Sequence, residues 1–212
     1  MPEPTVTLLP VPLVPEISLH LVDGPVGLFD LSGGEFRSDE PPPFWAFVWA
    51  GGQALARYVM DHPALVAGRT VLDVATGSGV AAIAAAKAGA GQVHAIDLDP
   101  AAARAAGRNA AANGVSISTA QADVGAAAVQ ADVILAGDVF YSRSVADRMT
   151  TYLRSAARSG ARILVGDPGR GYFPDRLFAR VAEYAVPVPA ALEETETLVT
   201  GVWEIRATST RD

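Results

Sequence analysis

Five aspartates hold most of the chemistry this chain can offer: Asp73, Asp97, Asp123, Asp138 and Asp167. Asp73 lies in Val71-Leu-Asp-Val-Ala-Thr-Gly77-Ser-Gly79-Val80, where a β-branched run breaks into a Gly-rich turn and passes into an alanine-rich run ending near Lys87. Gly77 and Gly79 let the backbone turn tightly and approach a ligand that a Cβ would push away. The helix that follows presents unpaired N–H groups and a positive dipole end to that ligand. This is a strand, loop and helix suited to an adenosyl cofactor.

Gly77-Ser-Gly79-Val-Ala-Ala82 also satisfies a loose dinucleotide fingerprint, with Asp97 twenty residues on from Gly77 for a ribose diol. Three observations argue against a nicotinamide cofactor. Asp73 would meet a pyrophosphate at short range, whereas a methionine amino group would welcome it. The five aspartates all fall at or near the carboxyl ends of predicted strands, the edge where open α/β sheets bind ligands. Five acids and no base on that edge suit a cation, and S-adenosylmethionine carries a sulfonium and an ammonium. Lys87 is the only lysine, so neither a Tyr-x-x-x-Lys proton relay nor the Gly-Lys-Ser/Thr of a P-loop exists here.

The elements that must position these residues follow from periodicity. After the opening strand and helix, Val93 to Asp97 reads as a second strand. Asp99 then caps, and Pro100 opens, a helix running to Asn113-Gly114. Ser116 to Gln121, Ala131 to Gly137 and Arg162 to Gly166 are further strands. Ser144 to Ser159 and Pro174 to Tyr184 are read as helices, and Val186 to Ala207 as a closing pair of strands. Upstream, Gln53 to His62 is helical, and Trp49 before Gly51-Gly52 is a candidate ligand wall, with core packing the plain alternative. Ile17, Leu19 and Leu21 alternate as a half-buried strand, with Val26 to Leu31 the expected returning strand. The fold class is therefore α/β: a doubly wound, mostly parallel seven-stranded sheet with an N-terminal β-hairpin cover. One domain is expected over 1–212, with residues 1–43 as cover and 44–212 as catalytic core.

Composition narrows the partners. Sixteen basic residues against twenty-three acidic ones give a net charge of −7, which argues against nucleic acid as the main partner. No cysteine occurs and the three histidines lack ligand spacing, so no metal site is readable. No apolar run approaches a membrane span, and a cytoplasmic monomer is the expectation.

On Asp73-Val-Ala-Thr-Gly77-Ser-Gly79, Asp97, Asp123 and Asp138-Val-Phe-Tyr141, the chain resembles the seven-stranded S-adenosylmethionine-dependent methyltransferases. It looks closer still to one branch, the lysine methyltransferases of the electron-transfer flavoprotein β subunit. That likeness extends over Pro41 to Gln53, Asn109, Gly137 to Tyr141 and Gly166-Asp-Pro-Gly-Arg170. Ala75 stands where the general motif often has its first glycine, and Ala50 where a proline is expected; neither change removes a reactive side chain.

The resemblance implies S-adenosylmethionine as cofactor, with Asp73 at its methionine amino group and Asp123 at its adenine amine. Asp97 would accept the ribose hydroxyls, and Trp49 would wall the cofactor. Asp138 and Tyr141 are the expected catalytic pair. Enzymes that methylate planar nitrogens place Asn/Asp-Pro-Pro-Tyr here, whereas this chain has Val139 and Phe140 between the two. An acid and an aromatic ring suit a flexible amine. An ordinary aspartate, with a pKa near 4, would be a poor base toward lysine. The implied reaction is methylation of a protein lysine, with the flavoprotein β subunit as substrate. A small-molecule amine of the nicotinamide kind, a ribosomal protein, or an inactive cofactor-binding module are the alternatives.

Overall fold

The computed structural model describes residues 5–23, 43–126, 130–188 and 195–206. A hairpin of β1 (Thr7–Val11) and β2 (Val14–Leu21) comes first. The main sheet contains β3 (Thr70–Val74), β4 (Gln92–Asp97), β5 (Ser118–Gln121), β6 (Val133–Gly137), β7 (Arg162–Asp167), β8 (Phe178–Pro187) and β9 (Thr197–Ile205). Its order is β5-β4-β3-β6-β7-β9-β8, parallel through β7 and antiparallel at β9 and β8. The helices are α1 (Ala50–Asp61), α2 (Val80–Lys87), α3 (Pro100–Ala112) and α4 (Arg143–Arg158). The doubly wound α/β expectation holds.

Period-2 alternation divides the core in two. Val71, Val133, Leu135 and Leu164 face α1, α2 and the hairpin, while Leu72, Val74, Ile134, Ile163 and Val165 face the side covered by α4. Both faces of the central strands are apolar because helices cover both. Strand order reverses at β3, where the chain steps to β4 on one side and β6 lies on the other. That is where such sheets open a crevice at their carboxyl edge.

Two expectations need correcting. The strand through Ile17, Leu19 and Leu21 pairs with the upstream segment Thr7–Val11 across a turn at Pro12-Leu13; Val26 to Leu31 lies outside the described residues. The segment Pro174 to Tyr184 is not a helix. Only Asp175–Leu177 makes a short 3-10 turn, and Phe178 starts β8. The physical reason is a bulge. Arg180 pairs with Trp203 and Ala182 with Val202, leaving Val181 extra. Phe178 therefore packs on the α4 side while Ala182, Tyr184 and Val186 pack on the α1 side. One inserted residue breaks the alternation and leaves apolar spacings that mimic a helix.

The hairpin covers the helical face. Asn113 Oδ1 accepts from the Ser18 N–H at 3.0 Å and its Nδ2 donates to the Ser18 carbonyl. Asn109 Oδ1 accepts from His20 N–H at 2.8 Å, while its Nδ2 donates to the Ser78 carbonyl at 2.8 Å. One buried asparagine thus ties β2, α3 and the glycine-rich loop together. No described helix is long and apolar enough to cross a membrane.

Candidate active site

At the carboxyl edge, Phe44, Trp49, Ala75, Gly77, Asp97, Gly137, Asp138, Tyr141 and Arg170 enclose a cleft of about 240 Å³. Five of the eight residues singled out from sequence meet here: Trp49, Gly77, Asp97, Asp138 and Tyr141. Asp73, Gly79 and Asp123 do not line it.

Asp73 lies on the β3 face that packs against α2, so alternation turns its carboxylate beneath the loop. Its Oδ2 accepts from the Thr76 hydroxyl at 2.5 Å and the Ala82 N–H at 3.2 Å. The residue capping α2 is Gly79, which has no side chain, and Asp73 supplies the missing acceptor from the neighbouring strand. Burial pushes its pKa up to about 7, against the opposing pull of those two hydrogen bonds. Gly79, at φ 85°, is constrained by packing: a Cβ would lie 2.9 Å from that of Ala106 on α3. Gly77, at φ 52°, has open space where a Cβ would stand. Ala75 takes φ 53°, the left-handed region that the glycine of the general motif would enter without penalty.

Asp97 ends β4 in the cleft. Its Oδ2 accepts from Gly77 N–H at 2.9 Å and its Oδ1 from Asp99 N–H at 3.0 Å. Each oxygen keeps a further lone pair. Burial raises its pKa. Asp99 caps α3 through Ala101, as the Asp-Pro pair indicated. Asp123 instead accepts from Gly125 N–H and forms an ion pair with Arg148 of α4.

Asp138 divides its two oxygens. Oδ2 accepts from Gly52 N–H at 3.0 Å, capping α1, whose own cap residue Trp49 makes no side-chain cap bond. Oδ1 stands 3.4 Å from the Arg170 guanidinium. Its backbone is left-handed, φ 54°, and its N–H donates to the Gly166 carbonyl. Burial raises its pKa to about 7, with Arg170 pulling it down and Asp167 pushing it up.

The aspartate can sit beside α1 only because the first turn of that helix carries Gly51 and Gly52. A Cβ on Gly51 would fall 2.1 Å from the Gly166 carbonyl oxygen, and one on Gly137 would fall 3.0 Å from Gly52 Cα. Val139 and Phe140 are buried; Phe140 meets Phe173 edge-on at 5.3 Å and Phe178 at 6.1 Å. The four-residue spacing thus puts two anchors in the core and returns Asp138 and Tyr141 to the cleft, Tyr141 with 58% of its surface exposed.

Sequence reading missed Arg170 as a site residue, and the carboxyl edge does carry a base. Asp167 explains how. Its Oδ1 accepts from the Gly169 and Arg170 N–H groups at 2.7 and 2.8 Å, so the Asp-Pro-Gly turn aims Arg170 back at Asp138. The guanidinium also lies 6.0 Å from the Trp49 ring centre, whose indole N–H donates to the Phe44 carbonyl. The signal was the Arg170 that closes the Gly166-Asp-Pro-Gly-Arg170 turn sequence. Among the described residues, no group of three or more His, Asp or Glu is placed to hold a metal.

The profile of the family "Ribosomal protein L11 methyltransferase (PrmA)" matches residues 54–151. A solved ribosomal protein L11 methylase from Lactobacillus delbrueckii subsp. bulgaricus superposes with a TM-score of 0.54 at 23% identity, covering 74% of this chain and 79% of that one. Magnesium protoporphyrin IX methyltransferase from Synechocystis PCC 6803, solved with bound SAM, gives 0.52 at 16% identity over 74% and 78%. At those identities the likeness shows the fold. Sequence goes further. The electron transfer flavoprotein beta subunit lysine methyltransferase of Mus musculus is 36% identical over 76% of this chain and 66% of its own length. With its Danio rerio counterpart the identity is 39% over 90% of this chain and 76% of that protein, and the chain belongs to the electron transfer flavoprotein beta subunit lysine methyltransferase family.

Proposed function

We propose that this chain transfers a methyl group from S-adenosylmethionine to a lysine side chain of a protein, the electron-transfer flavoprotein β subunit being the substrate to test first. The observation that carries this reading is one cleft holding two complementary ends. Gly77 and Asp97 form a floor for the cofactor, and Asp138 and Tyr141 form an opposite end for an amine.

The residues present fit S-adenosylmethionine. The outward lone pairs of Asp97 would take the ribose hydroxyls, Gly77 leaves room for close approach, and Phe44 and Trp49 offer apolar walls. Asp73 acts through the loop it braces, and Asp123, although paired with Arg148, keeps a further lone pair on each oxygen for an adenine amine. When bound, the cofactor supplies an electrophilic methyl on a sulfonium.

The chain's own work is to orient a lysine nitrogen and remove its proton. Asp138 holds the ammonium through Oδ1 while Tyr141 lies against it. Moving a proton from lysine to an ordinary aspartate is uphill by about 9 kcal/mol; at a carboxyl near 7 the gap falls to about 4–5 kcal/mol. Arg170 reduces the gap from the other side, since a neighbouring cation disfavours ammonium. Orientation supplies much of the remaining acceleration.

The match to the ribosomal protein L11 methyltransferase profile keeps a ribosomal protein as a second substrate candidate. A single domain belongs to the same proposal, supported by one seven-stranded sheet with a core on each face, as do a monomeric state and a cytoplasmic location, the latter in keeping with the cysteine-free composition. The test uses methyl-labelled S-adenosylmethionine, the purified protein and a bacterial lysate, with wild type beside Asp138→Asn. Label in a protein band of flavoprotein-subunit size, lost in the variant, is expected. Label only in the small-molecule fraction would overturn the protein-lysine reading.

A further inference from the structure

A second and larger cleft, about 440 Å³, opens at the other end of the sheet. Arg154 and Arg158 reach it from the last turns of α4, Arg162 from the first residue of β7, Arg176 from the 3-10 turn, and Arg206 from just beyond β9. Five of the chain's sixteen basic residues thus converge on one concavity of a protein whose net charge is −7. Among the described residues, Glu204 is the only acid lining it.

Ordinary structural roles account for two of these arginines. Arg162 pairs with Glu204 across the sheet at 2.8 Å, and Arg158 complements the negative end of α4. For Arg154, Arg176 and Arg206 no carboxylate partner occurs among the described residues. The Arg162 Nε is buried without a hydrogen-bond partner among the described residues, as is that of the ion-paired Arg57. Like charges gathered in a concavity repel one another, and an anion seated among them relieves that repulsion while satisfying their donors. Ile163, Leu177 and Ile205 supply an apolar part of the wall. The volume falls in the range of small-molecule pockets. A concavity of that volume holds a compact ligand whole, whereas an extended acidic peptide would run beyond it.

We infer that this cleft is a binding site for a phosphate-bearing small molecule, distinct from the methyl-transfer cleft. Arg162 starts β7 and Asp167 ends it, so the strand separates the two sites by roughly 16 Å at ~3.3 Å per residue. The inference does not depend on which amine is methylated. Bound phosphates would be held by bidentate guanidinium contacts, and affinity would fall as salt rises.

The test is titration calorimetry on the full chain saturated with S-adenosylmethionine, which keeps nucleosides out of the first cleft. Inorganic triphosphate, ATP, adenosine and a short poly-glutamate peptide are compared on wild type and an Arg158→Gln, Arg176→Gln double variant. Triphosphate and ATP are expected to bind at submillimolar Kd at low salt, at least tenfold more weakly in the variant, with adenosine silent. ATP tighter than triphosphate identifies a nucleotide; equal affinities identify the phosphate chain alone. Unchanged S-adenosylmethionine affinity shows that the variant is folded. Millimolar or weaker binding of both phosphates, unchanged binding in a folded variant, or tighter binding of poly-glutamate would overturn the inference.

Discussion

Replacing Asp138 by asparagine separates the two tasks of that side chain. An amide oxygen still accepts from Gly52 N–H and caps α1, but the charge facing the cleft is gone. Asp138→Asn is expected to keep thermal stability within about 1 kcal/mol of wild type while kcat falls about a hundredfold or more. Asp138→Ala would lose both. Calorimetry and labelled-methyl kinetics on the two variants distinguish a catalytic carboxylate from a cap. Arg170 gives a companion test. Its guanidinium pulls the Asp138 pKa down from where burial would leave it, so Arg170→Met should move the acid limb of the pH–rate profile to higher pH. Activity lost at neutral pH should return in part above it. An unmoved limb would remove Arg170 from the proton chemistry.

At the scale of elements, the cleft is built by strand ends whose side chains cap someone else's helix. Asp138, just past β6, caps α1 and Asp73 from β3 caps α2, because the residues at those helix starts, Trp49 and Gly79, make no cap bond of their own. The Asp138–Tyr141 segment is pinned through Phe140, fully buried against Phe173 and Phe178. Phe140→Ala should destabilise by about 3–5 kcal/mol and lower kcat even where the protein stays folded, as read by urea titration and single-turnover kinetics.

Most of this frame was legible from periodicity. Val80–Lys87 is a helix with the expected bounds, and β3, β4 and β6 lie where the apolar runs stood. What was not legible was non-local. Nothing in Val71 to Val80 says that Asp73 turns under the loop, since that depends on which sheet face α2 covers. Nothing in Pro174 to Tyr184 reveals a bulge at Val181, since only pairing with β9 defines it. Arg170 could not be placed at the site without the turn that Asp167 folds.

For the molecule as a whole, burial raises the pKa values of Asp73, Asp97, Asp138 and Asp167. For each, folding favours the protonated form. The stability these groups contribute is complete below the unfolded pKa near 4 and is lost as pH rises through the folded values, about 7 for Asp73 and Asp138. Growing net negative charge acts in the same direction. The protein should therefore melt at a higher temperature near pH 5 than near pH 8. Asp73→Asn keeps an acceptor for Thr76 and Ala82, and should reduce the underlying stability difference between the two pH values by an amount on the order of a few kcal/mol, narrowing the gap in melting temperature. A difference unchanged in Asp73→Asn would contradict the burial of a titrating carboxyl there.

Methylation of a protein lysine is read out by intact-mass spectrometry of purified electron-transfer flavoprotein β subunit after incubation with S-adenosylmethionine and this protein. Mass increments of one or more methyl groups, located on lysine by peptide fragmentation, are expected with wild type and not with Asp138→Asn. An unmodified subunit under conditions where the enzyme methylates another acceptor would contradict the assigned substrate, and equal methylation by Asp138→Asn would contradict the assigned site.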